Sequence, residues 1–218
     1  MSLKDSIKGF LKLSGTYAKA AEYLTSNGYN REYIDLLDEL TASAKKRDIP
    51  EGMALKAQGL LYMGELTEAA EVFAVTDIRH LPKEIASICV NNYIFCLFLL
   101  DRFRESADIY REYNDIALDG SSFMKRSVGI MEHIGERYEN AVTVFVKLIS
   151  EPDPRNTLMA DICLARSMLR LDMNDRVREL AKGFDKYHGK AQITRLTEKM
   201  KMKATSHAAP DKRKKKRG

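Results

Sequence analysis

An all-α fold of helix hairpins stacked one upon another is what this sequence predicts, and three observations predict it. Apolar residues make up 44% of the chain in short helical stretches, with only 12 Gly and 5 Pro and little strand-like alternation. A spaced pattern of small and bulky side chains recurs about every three dozen residues. Clusters of Pro, Gly, Asp and Ser punctuate the chain between the copies.

The copies can be followed in chain order. A degenerate first one places Ala20, Tyr23, Asn27, Tyr29, Glu32 and Leu36 in the frame, and the second, the clearest, reads Ala57, Leu60, Gly64, Leu66, Ala69 and Phe73. Ile94, Leu97, Asp101, Phe103, Ser106 and Tyr110 form the third, and Gly129, Glu132, Glu136, Tyr138, Ala141 and Phe145 the fourth. A weak fifth runs through Met168, Leu171, Asp175, Val177, Leu180 and Phe184. The turn residues are Asn27, Gly64, Asp101, Glu136 and Asp175, giving successive offsets of 37, 37, 35 and 39.

Packing explains such a pattern. Small residues at Ala57 and Ala69, and at Gly129 and Ala141, suit the crossing of two helices whose axes approach to about 8–10 Å. Phe73, Tyr110 and Phe145 share a face with those small residues and suit the groove against the next hairpin. Short polar turns such as 63–66 and 100–103 let the chain reverse.

Segments 57–73 and 129–145 resemble the tetratricopeptide repeat family, with small and aromatic residues in that family's order. The resemblance extends over roughly residues 14–187, although no tryptophan opens a repeat and the closing proline is displaced to Pro82 and Pro154. It implies a right-handed superhelical solenoid of about five antiparallel hairpins. A repeat domain over residues 1–203 is expected, closed by a C-terminal capping helix with Ile193, Leu196 and Met200 on one stripe, and a disordered basic tail is expected over 204–218.

The stretches 45–52, 79–83, 118–122 and 150–156 read as boundaries between hairpins, with Ser122 and Asn156 as N-caps. The greasiest run, 93–100, is stopped by Asp101 and is too short to span a bilayer, which takes about 20 apolar residues, so a buried helix is expected. Residues 1–10 mix charges and lack the apolar stretch of a secretory signal; a cytoplasmic protein is expected.

Charge and chemistry narrow the function. The net charge of +5 resides at the end, where six Lys or Arg face one Asp between Asp211 and Gly218. Cys89, Cys96 and Cys163, odd in number and set in apolar helices, read as reduced core residues. No Cys/His cluster has zinc-ligand spacing, and none of His80, His133, His188 and His207 is paired at i, i+4. The stretch from Gly183 to Lys190 has five residues between its glycines and Ala191 in place of a hydroxyl, so it reads as a helix end and not a phosphate loop. Neither an enzyme nor a cofactor is expected.

What the resemblance implies instead is a concave groove lined by the first helices of successive repeats. Mapped onto this chain, it turns Tyr17, Ala21 and Leu24, then Ala54, Gln58, Leu61 and Tyr62, toward the groove. Asn91, Phe95, Phe98 and Leu99 follow from the third copy, and Arg126, Ile130 and His133 from the fourth. The carboxylate-gripping set of co-chaperone members is not reproduced, since Ala54 and Gln58 occupy two of its places. The function expected is a scaffold or adaptor holding a peptide or helix of a partner through Gln58, Tyr62, Asn91, Phe95, Phe98, Arg126, Ile130 and His133. Phe95, Phe98 and Leu99 can also be read as interior residues of a tightly wound solenoid, or as a self-association face. The tail residues Lys212, Arg213, Lys214, Lys215, Lys216 and Arg217 are a solvated end, a contact to RNA or the ribosome, or a contact to anionic lipid or acidic protein. An RNA- or ribosome-associated factor tethered by this tail is the alternative function.

Overall fold

The computed structural model describes residues 15–117, 122–149 and 154–183. Within them the regular elements are helices: α1 (Ala18–Asn27), α2 (Arg31–Ala42), α3 (Ile49–Met63), α4 (Leu66–Val75), α5 (Lys83–Leu99), α6 (Phe103–Glu112), the short α7 (Asn114–Ala117), α8 (Ser122–Ile134), α9 (Tyr138–Ile149), α10 (Pro154–Arg170) and α11 (Asn174–Gly183). No strand occurs among the described residues. None of their helices is long and apolar enough to cross a membrane. The expected capping helix, the basic tail, Phe184 and residues 1–14 lie outside the described residues.

Five hairpins pair α1 with α2, α3 with α4, α5 with α6, α8 with α9, and α10 with α11. Each packs on the next: α2 meets α3, α4 meets α5 and α9 meets α10, while α3, α5, α8 and α10 form a row of first helices in mutual contact. The row carries the core. From Tyr93 to Leu99 every side chain of α5 is buried, because a helix apolar on all sides is stable only with neighbours all round it. The second helix α6 is one-sided and fully buries only Ser106, whose hydroxyl donates to the Ile94 carbonyl at 3.1 Å.

Each hairpin turns on a residue with positive φ: Gly28 (72°), Gly64 (79°), Asp101 (61°), Glu136 (60°) and Asp172 (54°), spaced by 36, 37, 35 and 36. In the last four, the amide of the following residue donates back to the helix. Glu65 donates to the Leu60 carbonyl at 2.9 Å, Arg102 to Leu97 at 3.0 Å, Arg137 to Glu132 at 2.9 Å and Met173 to Met168 at 3.0 Å. This closes a helix C-terminus on otherwise orphaned carbonyls. The first turn is built differently, with Gly28 bonded to the Leu24 carbonyl and Asn30 Oδ1 accepting from the Tyr33 amide at 2.9 Å to cap α2.

The outer turns therefore differ from expectation. The first falls on Gly28, one residue after Asn27, and the fifth on Asp172, three before Asp175. Counted from these residues, Tyr33 and Val177 take the place of Ala69, and Leu37 and Ala181 that of Phe73; all four are buried, whereas Glu32 is exposed and Leu36 and Leu180 only half-buried. Burial decides the frame because a second helix offers one face to its partner, and a slip of one residue turns a position about 100° around the axis while a slip of three turns it about 60°, from the centre of that face to its edge.

Two boundaries also shift. Residues 49–52 belong to the first turn of α3, where Pro50 costs little because the leading amides of a helix lack partners anyway. The same preference starts α10 at Pro154 and leaves Asn156 inside the helix, not at its cap. Ser122 opens α8.

Packing at the small positions is more specific than small against small. A Cβ on Gly129 would lie 2.5 Å from Cε1 of Phe145, so the aromatic ring fills the gap left by the glycine within its own hairpin. Phe73 instead stacks on Tyr93 of the next hairpin, with centroids 5.3 Å apart, as the groove-filling role requires.

Candidate partner-binding face

Side chains one repeat apart meet across hairpins. Arg31 pairs with Glu68 at 3.2 Å and Arg79 with Asp115 at 3.2 Å, both on exposed surfaces where an ion pair adds little. Deeper, Ser127 Oγ donates to Asn91 Oδ1 at 2.5 Å, and an Arg126 amino group to Asn92 Oδ1 at 2.8 Å. His133 Nδ1 meets Ser167 Oγ at 2.8 Å. These partners are 34 to 37 residues apart, close to the spacing of the turns.

The residues expected to line the groove are brought together along the row of first helices, and all eight are buried. Gln58 is 6% exposed, Tyr62 3% and His133 5%, while Asn91, Phe95, Phe98 and Ile130 show none of their surface and Arg126 1%. In this conformation they lie between helices and are not displayed on an open concave surface. The reading of Phe95, Phe98 and Leu99 as interior residues matches their placement. The six basic residues from Lys212 to Arg217 fall outside the described residues.

Two polar clusters sit within this face. In the first, Asn91 Nδ2 donates to the Ser87 carbonyl at 2.8 Å, and the Arg126 guanidinium reaches the Asn91 carbonyl at 3.3 Å and Met159 Sδ. It lies over the Phe95 ring at 4.8 Å and the Phe123 ring at 5.4 Å. A buried guanidinium is tolerable only when acceptors and ring faces replace water, which is what this arrangement supplies. In the second, Phe98 and Tyr138 meet the His133 ring edge-on at 5.0 and 5.1 Å. Ser167 Oγ donates to the Cys163 carbonyl at 3.0 Å, so His133 Nδ1 carries the proton of their shared bond. Burial, with Arg166 and Arg170 nearby, holds the His133 pKa down to about 4.

Sequence reasoning missed Asn92, Ser127, Ser167 and above all Arg166. Counted from Asp172, Arg166 takes the place of Gln58, Phe95 and Ile130 on the first helices, a position hidden when the fifth turn is put at Asp175. The guanidinium of Arg166 donates to the Phe98 carbonyl at 2.7 Å, pairs with the Asp101 carboxylate and lies over the Phe98 ring at 4.4 Å.

Cys89, Cys96 and Cys163 are free and buried, and burial pushes each thiol up to about 12, far from the thiolate that nucleophilic work needs. Among the described residues no three His, Cys, Asp or Glu side chains converge as a metal site would require. No protein-family model, no curated protein and no solved structure matches the chain.

Proposed function

We propose that this chain is a protein-interaction scaffold, a right-handed superhelical solenoid of tetratricopeptide-like hairpins that engages a peptide or helix of a partner along its row of first helices. One observation carries the reading: the left-handed turn recurs at 36, 37, 35 and 36 residues while polar partners join residues one such interval apart. Repetition of this kind builds an extended surface by stacking, and each hairpin contributes equivalent positions to it. The buried state of Phe95, Phe98, Ile130 and His133 adds a condition, namely that binding there is coupled to a change in how the third to fifth hairpins sit on one another.

Affinity purification with the tagged full chain, with and without residues 211–218, tests the proposal. A protein partner retained after the tail is removed supports it, and hydrogen exchange of the complex should then show protection on α3, α5 and α8. Recovery of RNA or ribosomes that depends on the tail and is lost at raised salt would replace it with the alternative of a tail-tethered factor. A partner footprint confined to α4, α6 and α9 would overturn the use of the inner row.

A further inference from the structure

We propose that Arg166 is a latch that ties the fifth hairpin back to the third, across the fourth, and holds the inner row of α5, α8 and α10 closed. The inference rests on the scaffold reading only for its consequence, since the latch itself is a matter of geometry. The deeper polar contacts between hairpins, such as Ser127 to Asn91 and His133 to Ser167, join residues 36 and 34 apart. Arg166 instead reaches Asp101 and the Phe98 carbonyl, 65 and 68 residues away, two intervals of the repeat.

Three features converge where its guanidinium lies. The Phe98 carbonyl stands at the C-terminal end of α5, the negative end of the helix dipole, and also accepts the Asp101 amide at 3.2 Å. The Asp101 carboxylate is presented by the left-handed turn. The rings of Phe98 and Phe103 lie 4.4 and 5.7 Å from the guanidinium carbon. A planar fork satisfies a carbonyl, a carboxylate and two ring faces together, which an ammonium cannot do. The next residue, Ser167, grips His133 of the fourth hairpin, so adjacent side chains of α10 hold two different hairpins. Curvature in a stack of hairpins is the sum of small rotations between neighbours, and a tie spanning two intervals fixes two rotations at once. Arg166 keeps 21% of its side chain exposed and Asp101 60%, so water and competing groups can reach the tie. Phe98 and His133 lie beneath it.

Double electron–electron resonance on the full chain tests the latch, with spin labels on Arg104→Cys in α6 and Arg176→Cys in α11, both exposed. The native thiols, buried and poorly ionised, stay unlabelled. The parent should give one narrow distance distribution, and Arg166→Ala should lengthen and widen it, with Arg166→Lys in between. Should Arg166→Ala lose its helical circular dichroism, Asp101→Gly carries the test, since glycine keeps the left-handed turn and removes the carboxylate. A distribution unchanged in the folded member of the pair overturns the latch. No partner takes part in this measurement, so a failed purification and a failed latch are separate results.

Discussion

Acidification should destabilise this protein through His133, and the size of the effect follows from its surroundings. The ring donates from Nδ1 to Ser167, is enclosed by Phe98, Phe103 and Tyr138, and faces Arg166 and Arg170, with Asp101 the opposing charge. Its folded pKa is held down to about 4 from the ordinary 6.5. The unfolded chain therefore takes up the proton first, and stability present in full above pH 6.5 is lost as the pH falls toward 4. At about 1.4 kcal/mol per pH unit, the loss from this residue reaches about 2 kcal/mol at pH 5 and about 3 kcal/mol at pH 4. Urea unfolding followed by circular dichroism from pH 7.5 to 4 measures it. His133→Asn keeps a donor near Ser167 but cannot titrate, so it should start less stable at pH 7.5 and then lose less on acidification, the difference approaching the figures above. Parallel curves for the two proteins, or an NMR titration of the His133 ring with a midpoint near 6.5, would refute the reasoning.

Two substitutions probe the hairpin geometry by urea unfolding. Gly129→Ala forces a Cβ against the Phe145 ring and should cost about 1–3 kcal/mol, with partial recovery when Phe145→Leu is added; a cost below the experimental error would show that the ring is free to move away. Glu136→Gly relieves a non-glycine residue at φ 60° and should stabilise the protein by up to about 1 kcal/mol, the relief of strain being partly offset by the greater freedom of glycine in the unfolded chain. The same replacement at Glu139, in the first turn of α9, should destabilise by up to about 1 kcal/mol through the freedom of glycine and the loss of an acidic side chain at the helix N-terminus, and equal signs at the two sites would count against the left-handed turn.

By itself the sequence determined the helices, the central turns and the inward faces of the middle hairpins, because these depend on short-range chemistry. Gly64, Asp101 and Glu136 stop a helix where they stand, and the helical spacing of Ala57 with Leu60, or Ala141 with Phe145, marks the face that must be covered. The outer turns were ambiguous locally. Asn27 adjoins Gly28, and Asp175 lies one helical turn from Asp172; only the burial of Tyr33, Leu37, Val177 and Ala181 chose between them. Tertiary structure alone decided that Phe95, Phe98, Arg126 and His133 are enclosed, because what covers them comes from other hairpins: Asn91 and Asn92 lie about one interval from Arg126, and Arg166 lies two from Asp101. A periodic pattern specifies which face of a helix is apolar. How far neighbouring hairpins rotate over that face is set by contacts between residues distant in the chain, and no local spacing encodes it.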